Sequence, residues 1–137
     1  CLAALSAVLR LYADERRALE RVPVLRMLLE PEERVRARAR RLVRAIRASV
    51  SELSLGIERG GTSPGGGALP DIFLPTARVA VSHPRIPEAV LEERLRRGTP
   101  PVVARVGKGK VLLDLRTVRD DEVPELAAAV SAAGKND

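Results

Sequence analysis

Val102-Val103-Ala104-Arg105-Val106 and Lys110-Val111-Leu112-Leu113-Asp114-Leu115, separated by Gly107-Lys108-Gly109, decide the fold. β-Branched and apolar residues on both sides of a glycine-rich turn predict a β-hairpin. Outward from it, Leu53-Ser54-Leu55-Gly56-Ile57-Glu58 alternates as a strand, and Arg78-Val79-Ala80-Val81-Ser82 is a second. Pro87 opens a helix with Val90, Leu91 and Leu95 facing inward and Gly98 stopping it. Asp120 or Asp121 is expected to cap a last helix, with Val123, Leu126, Ala127 and Val130 inward and Gly134 at its end. The order is helices, strand, strand, helix, hairpin, helix. It predicts an α/β (α+β) two-layer sandwich: a small, largely antiparallel four-stranded sheet with helices on one face.

Helices also precede the sheet. Leu2, Leu5, Leu9 and Tyr12 form one apolar stripe. Val22 to Leu29 carries Pro23 and reads as a kinked, buried helical connection. Pro31, Glu32 and Glu33 then open a helix whose inner face is Val35, Leu42, Val43, Ile46 and Val50. Its other face is the run Arg34, Arg36, Arg38, Arg40, Arg41, Arg44 and Arg47. The expected organisation is an N-terminal helical segment, 1–30, linking to a large domain outside the chain, followed by the small α/β domain, 31–137. The chain opens at Cys1 in what reads as mid-helix, with no capping residue, so it is expected to be a piece of a longer protein.

Composition bounds the function. The 137 residues are 45% hydrophobic, which argues against disorder, and the only aromatics are Tyr12 and Phe73. One cysteine excludes an internal disulfide and a cysteine zinc site. No apolar run approaches the ~20 residues of a membrane span, and no signal peptide is visible, which leads to a cytoplasmic expectation. The net charge is +6, carried mostly by arginine. Acids interleave with the bases, so the arginine-rich helix reads first as a solvated face. A nucleic-acid stripe is the competing reading, one without base stacking because aromatics are missing.

Three features stand out as substrate or interface candidates. Gly65-Gly66-Gly67, followed by Ala68-Leu69-Pro70 and Leu74-Pro75, suggests a shaped loop. Arg26 lies in an apolar stretch and calls for an anionic partner. Arg116 shares a strand face with Asp114, either to grip a carboxylate or phosphate or to form a structural pair. His83, the single histidine, has no partner for a metal site in its neighbourhood, and no nucleophile elbow accompanies it.

Several segments together resemble one family. Leu2-Ala3-Ala4-Leu5 through Tyr12, Val22-Pro23-Val24-Leu25-Arg26-Met27-Leu28, Gly65-Gly66-Gly67-Ala68-Leu69-Pro70 with Leu74-Pro75, Pro101 to Val106, and Leu112 to Val118 resemble, in order, the later part of bacterial selenocysteine synthases, the L-seryl-tRNA(Sec) selenium transferases. The resemblance implies the C-terminal small domain of a fold-type-I enzyme dependent on pyridoxal 5′-phosphate. It implies seryl-tRNA(Sec) and selenophosphate as substrates and a homo-oligomeric assembly away from membranes. The cofactor in such enzymes needs a lysine with a buried, neutral amine. Lys108 and Lys110 flank the hairpin turn and Lys135 lies in the tail. The implied cofactor lysine therefore falls outside this chain, no catalytic or cofactor-binding residue is assigned within it, and the chain alone is expected to bind no cofactor and to be inactive. Two alternatives remain at this level: the small domain of a related cofactor enzyme without a tRNA substrate, and a stand-alone basic nucleic-acid-binding or interaction domain.

Overall fold

The computed structural model describes residues 2–64 and 72–135, which divide into two compact units, Cys1–Pro31 and Glu32–Asp137. The first unit holds α1 (Leu2–Tyr12), α2 (Glu15–Arg21) and α3 (Pro23–Leu29). Asp14 caps α2 by accepting the Arg17 N–H at 3.1 Å. Val22 ends α2 and precedes α3, and Pro23 occupies its first turn, where a missing N–H costs nothing. Pro23 therefore starts a helix rather than kinking one. The expected burial of this segment is met only at Val22: α3 itself contains no buried residue, Leu25 to Leu28 are half-buried, and Val24 and Leu29 are exposed. The α1 stripe of Leu2, Leu5, Leu9 and Tyr12 is likewise exposed.

The second unit is the predicted sandwich. Its elements are α4 (Glu32–Ser49), β1 (Ser54–Thr62), β2 (Leu74–Ser82), α5 (Glu88–Arg97), β3 (Arg105–Gly107), β4 (Lys110–Asp114) and α6 (Val123–Ala133). The sheet runs β1-β2-β4-β3, antiparallel throughout. Its register sets Leu55 opposite Val81, Ile57 opposite Val79, and these opposite Val111 and Leu113. Alternation then sends Ala77, Val79, Val81, Val111, Leu113 and Leu115 into one core with Val35, Leu42 and Ile46 of α4, Leu91 and Leu95 of α5, and Leu126 and Val130 of α6. Full burial of each large aliphatic side chain contributes on the order of 1.5–3 kcal/mol.

Several local expectations are corrected. Lys108 and Gly109, at φ 53° and 72°, form a two-residue turn, and β3 begins only at Arg105. Val102 is held instead by donating its N–H to the Leu95 carbonyl at 2.9 Å. Val90 is exposed and Val50 lies beyond the end of α4. Neither Asp120 nor Asp121 caps α6; Glu122 holds that position without a side-chain cap. The largest correction is Arg38, which leaves the wet face of α4 and is only 4% exposed. Its Nη1 donates to the Leu115 carbonyl at 3.0 Å and its Nε to Asp120 Oδ1 at 3.1 Å.

Gly134 ends α6 with φ −85°, so backbone handedness does not demand glycine there. Space does: a Cβ would lie 2.7–2.8 Å from three carbons of the buried Leu53 side chain. Gly134→Ala is expected to lower unfolding free energy by roughly 1–3 kcal/mol through overpacking. Gly56→Ala, whose Cβ meets nothing within 4 Å, should change it by no more than about 0.5 kcal/mol. Urea midpoints of the two variants check the contrast; equal shifts would contradict it.

Candidate functional site

The sheet face away from the helices carries the polar residues. On β1 these positions are Gly56, Glu58, Gly60 and Thr62; on β2, Thr76, Arg78 and Ala80; at β4, Leu112, Asp114 and then Arg116. Asp114 is the hub. It accepts the Thr76 hydroxyl at 2.6 Å and the Arg116 backbone N–H at 3.0 Å on Oδ1, and its Oδ2 lies 3.7 Å from Arg78 Nε. Arg78 also donates to the Gly61 carbonyl, and the Arg116 guanidinium to the Pro75 carbonyl. Thr76 is fully buried and Arg116 is 5% exposed. Beside this cluster lies a cleft of about 240 Å³, lined by Thr62, Arg78, Val102, Arg105, Asp114 and Thr117 among others.

The structure brings Asp114 and Arg116 together, with Arg116 tied by its side chain to β2 and by its backbone to Asp114. A buried guanidinium spent on a carbonyl braces the end of the sheet. The cations reaching the cleft are Arg78, already facing Asp114, and Arg105, which is exposed. Sequence reasoning missed Arg78. Its signal was Gly60-Gly61: a Cβ at Gly60 would lie 3.1 Å from Arg78 Nη1, so glycine lets the guanidinium lie against the strand. The triple glycine Gly65-Gly66-Gly67 lies outside the described residues. Arg26 sits half-buried in α3, and the ion pairs of the described residues do not include it.

His83 proves to be a structural joint. Its buried Nδ1 accepts the backbone N–H groups of Arg85 (3.1 Å) and Ile86 (3.0 Å), and its Nε2 lies 3.2 Å from Glu52 Oε2. Two donors on Nδ1 place the ring proton on Nε2, aimed at the carboxylate. Among the described residues no group of three or more His, Cys, Asp or Glu is arranged to hold a metal ion, and no helix is long and apolar enough to cross a membrane.

Of the three lysines, Lys108 is exposed on the hairpin turn, Lys110 donates to Glu58 at 3.0 Å on the open sheet face, and Lys135 is exposed after α6.

Residues 1–119 match the profile of the family described as L-seryl-tRNA selenium transferase. The chain is 46% identical over 130 residues to the L-seryl-tRNA(Sec) selenium transferase of Geobacter sulfurreducens, a match covering 94% of this chain and 28% of that protein. It is 44% identical over 132 residues to the enzyme of that name from Geobacter metallireducens, covering 96% and 29%. Against the one from Aquifex aeolicus it is 36% identical over 122 residues, covering 89% and 26%. The chain thus spans little more than a quarter of the length of these relatives.

The Glu52 joint yields a pH test. The hydrogen bond from His83, then that from Arg85, holds the Glu52 carboxyl below its ordinary value of 4.5. A carboxyl depressed in the folded state stabilises the fold above its unfolded pKa, and the contribution disappears as pH falls through the folded value. Glu52→Gln should therefore be less stable than the parent at pH 7, and the gap in denaturation midpoint should begin to narrow below about pH 4.5 and close only once the pH has passed below the depressed folded value. A gap independent of pH would contradict the assignment.

Proposed function

The chain belongs to the L-seryl-tRNA selenium transferase family, and from that premise we propose that it is the C-terminal small domain of such an enzyme. The intact enzyme converts seryl-tRNA(Sec) to selenocysteinyl-tRNA(Sec), with selenophosphate as the selenium donor and pyridoxal 5′-phosphate as cofactor, in the cytoplasm. The cofactor supplies an electron sink for the serine carbon skeleton; its lysine belongs to another part of the protein. The observation that carries this reading is the match itself: 46% identity across 94% of the chain.

In this reading the domain positions rather than reacts. The helix layer and sheet make a rigid body that can border an active-site cleft. The polar outer face of the sheet, with Arg78, Arg105, Arg116 and Asp114, is its candidate wall, and Gly65-Gly66-Gly67 and Arg26 are further candidates for contact with substrate or a neighbouring subunit. The exposed α1 face of Leu2, Leu5, Leu9 and Tyr12 suits burial against the remainder of the protein in a homo-oligomer.

The test is made with the full-length protein and with residues 1–137 alone. The full-length protein, supplied with the cofactor, seryl-tRNA(Sec) and selenophosphate, should form selenocysteinyl-tRNA(Sec). Residues 1–137 should form none, and borohydride treatment with the cofactor should leave no adduct at a defined lysine. Turnover by residues 1–137, or a full-length protein that acts on a free amino acid and ignores the tRNA, would contradict the proposal.

A further inference from the structure

The outward face of α4 is a cationic surface. Of its seven arginines Arg38 turns into the core, while Arg34, Arg36, Arg40, Arg41, Arg44 and Arg47 fall on the outward half of the helix. Counting 100° per residue, these six span about 160°, opposite the buried arc of Val35, Ala39, Leu42 and Ile46. Glu33 is the one acid of α4 on that half, because Glu32 turns towards the sheet and meets Arg59 at 3.1 Å. Arg41 meets Asp120 at 2.9 Å, and Arg47 reaches the Leu55 carbonyl at 3.4 Å. Among the described residues, Arg36, Arg40 and Arg44 have no acidic partner.

Other helices of the same chain resolve their arginines differently. On α5, Arg96 pairs with Glu92 at 3.3 Å and Arg97 with Glu93 at 3.0 Å, both one turn apart. On α2, Arg16 pairs with Glu20 at 3.5 Å. The α5 pairs make a solvated, self-neutralised face. The α4 face has the same residue type and fewer acids: Asp120 is shared by Arg38 and Arg41, and Glu33 pairs with none of Arg36, Arg40 and Arg44 among the described residues.

Arg36, Arg40 and Arg44 are spaced four residues apart, rising about 6 Å per step, a scale comparable to the separation of successive phosphates along a strand. Guanidinium groups suit bidentate contact with phosphate oxygens. Among the described residues the face carries no aromatic side chain, so it has no means of stacking bases. Resting on the functional reading above, we infer that the outward face of α4 binds the phosphodiester backbone of the RNA substrate, with Arg40 and Arg44 at its centre. The contact positions the RNA without reading its sequence.

The experiment uses the full-length, cofactor-loaded enzyme and an unacylated tRNA(Sec) transcript, with affinity measured by fluorescence anisotropy across a salt series. Arg40→Gln/Arg44→Gln should weaken binding roughly tenfold and make the slope of log affinity against log salt shallower by about 2, one per lost phosphate contact. Arg96→Gln/Arg97→Gln, which removes the same formal charge from paired arginines, should leave the slope within about 0.5 of the parent's. Sedimentation and thermal melts monitor assembly and folding; neither should change, because Arg40 and Arg44 are exposed. Unchanged affinity and slope in the α4 variant would overturn the inference. So would equal losses in both variants, which would mark a diffuse charge effect, or dissociation of the oligomer with RNA affinity intact, which would mark a protein contact. A parent enzyme that binds no tRNA would sink the functional reading itself, whereas a binding parent with an indifferent α4 variant sinks the inference alone.

Discussion

An arginine side chain with 4% of its surface exposed cannot be left without partners, and in Arg38 that constraint sets how α4 sits on the sheet. Nη1 donates to the carbonyl of Leu115, just past β4, and Nε to Asp120 in the connection to α6. One side chain therefore ties three parts of the domain: the long helix, the end of the inner strand β4 and the approach to the last helix. The same pairing holds the Asp120 carboxyl below its ordinary range, with the Arg38 hydrogen bond as the leading cause. With Arg38 directed inward, the rotation of α4 is set. Val35, Ala39, Leu42, Val43 and Ile46 face the sheet, and the remaining arginines of α4 face outward.

The sheet poses the complementary problem. Its inner face is aliphatic and covered by α4, α5 and α6. Its outer face holds charged residues at alternate positions, and burying any of them requires hydrogen bonds. Asp114 meets that demand by accepting from Thr76 and Arg116 while facing Arg78. Arg78 and Arg116 reach further, to the carbonyls of Gly61 and Pro75, which clamps the far ends of β1 and β2. The result is a stiff platform with one dry side and one polar side. In the proposed reading, this polar side borders a site assembled with other segments of the enzyme.

Much of this was legible in the chain itself. The hairpin, the two earlier strands, the helix after Pro87 and the final helix were visible as period-2 and period-3.6 patterns, because those periods report which face is apolar. The same signal cannot tell which arginine of a run is inside, so by pattern alone Arg38 reads as wet like its neighbours. Leu74-Pro75 reads as part of a shaped loop, yet β2 starts at Leu74 and runs through Pro75. Ladder pairing of β2 with β4 begins only at Arg78, so Pro75 interrupts no bond on that side. Val102 to Ala104 looked like strand by composition, but the pairing of β3 with β4 starts at Arg105. At the candidate site, Asp114 and Arg116 are visible from alternation, while Arg78 and the His83–Glu52 joint depend on contacts between residues 17 and 31 positions apart. No local pattern reports those.

The claim that Arg38 and Asp120 together fix α4 is tested most directly by a double-mutant cycle in urea: Arg38→Ala, Asp120→Ala and the double variant. If the pair acts as one tie, the two losses should overlap, with a coupling of about 1–3 kcal/mol between a buried guanidinium and its carboxylate. Losses that add to within about 0.5 kcal/mol would mean the two residues act independently and would contradict the account.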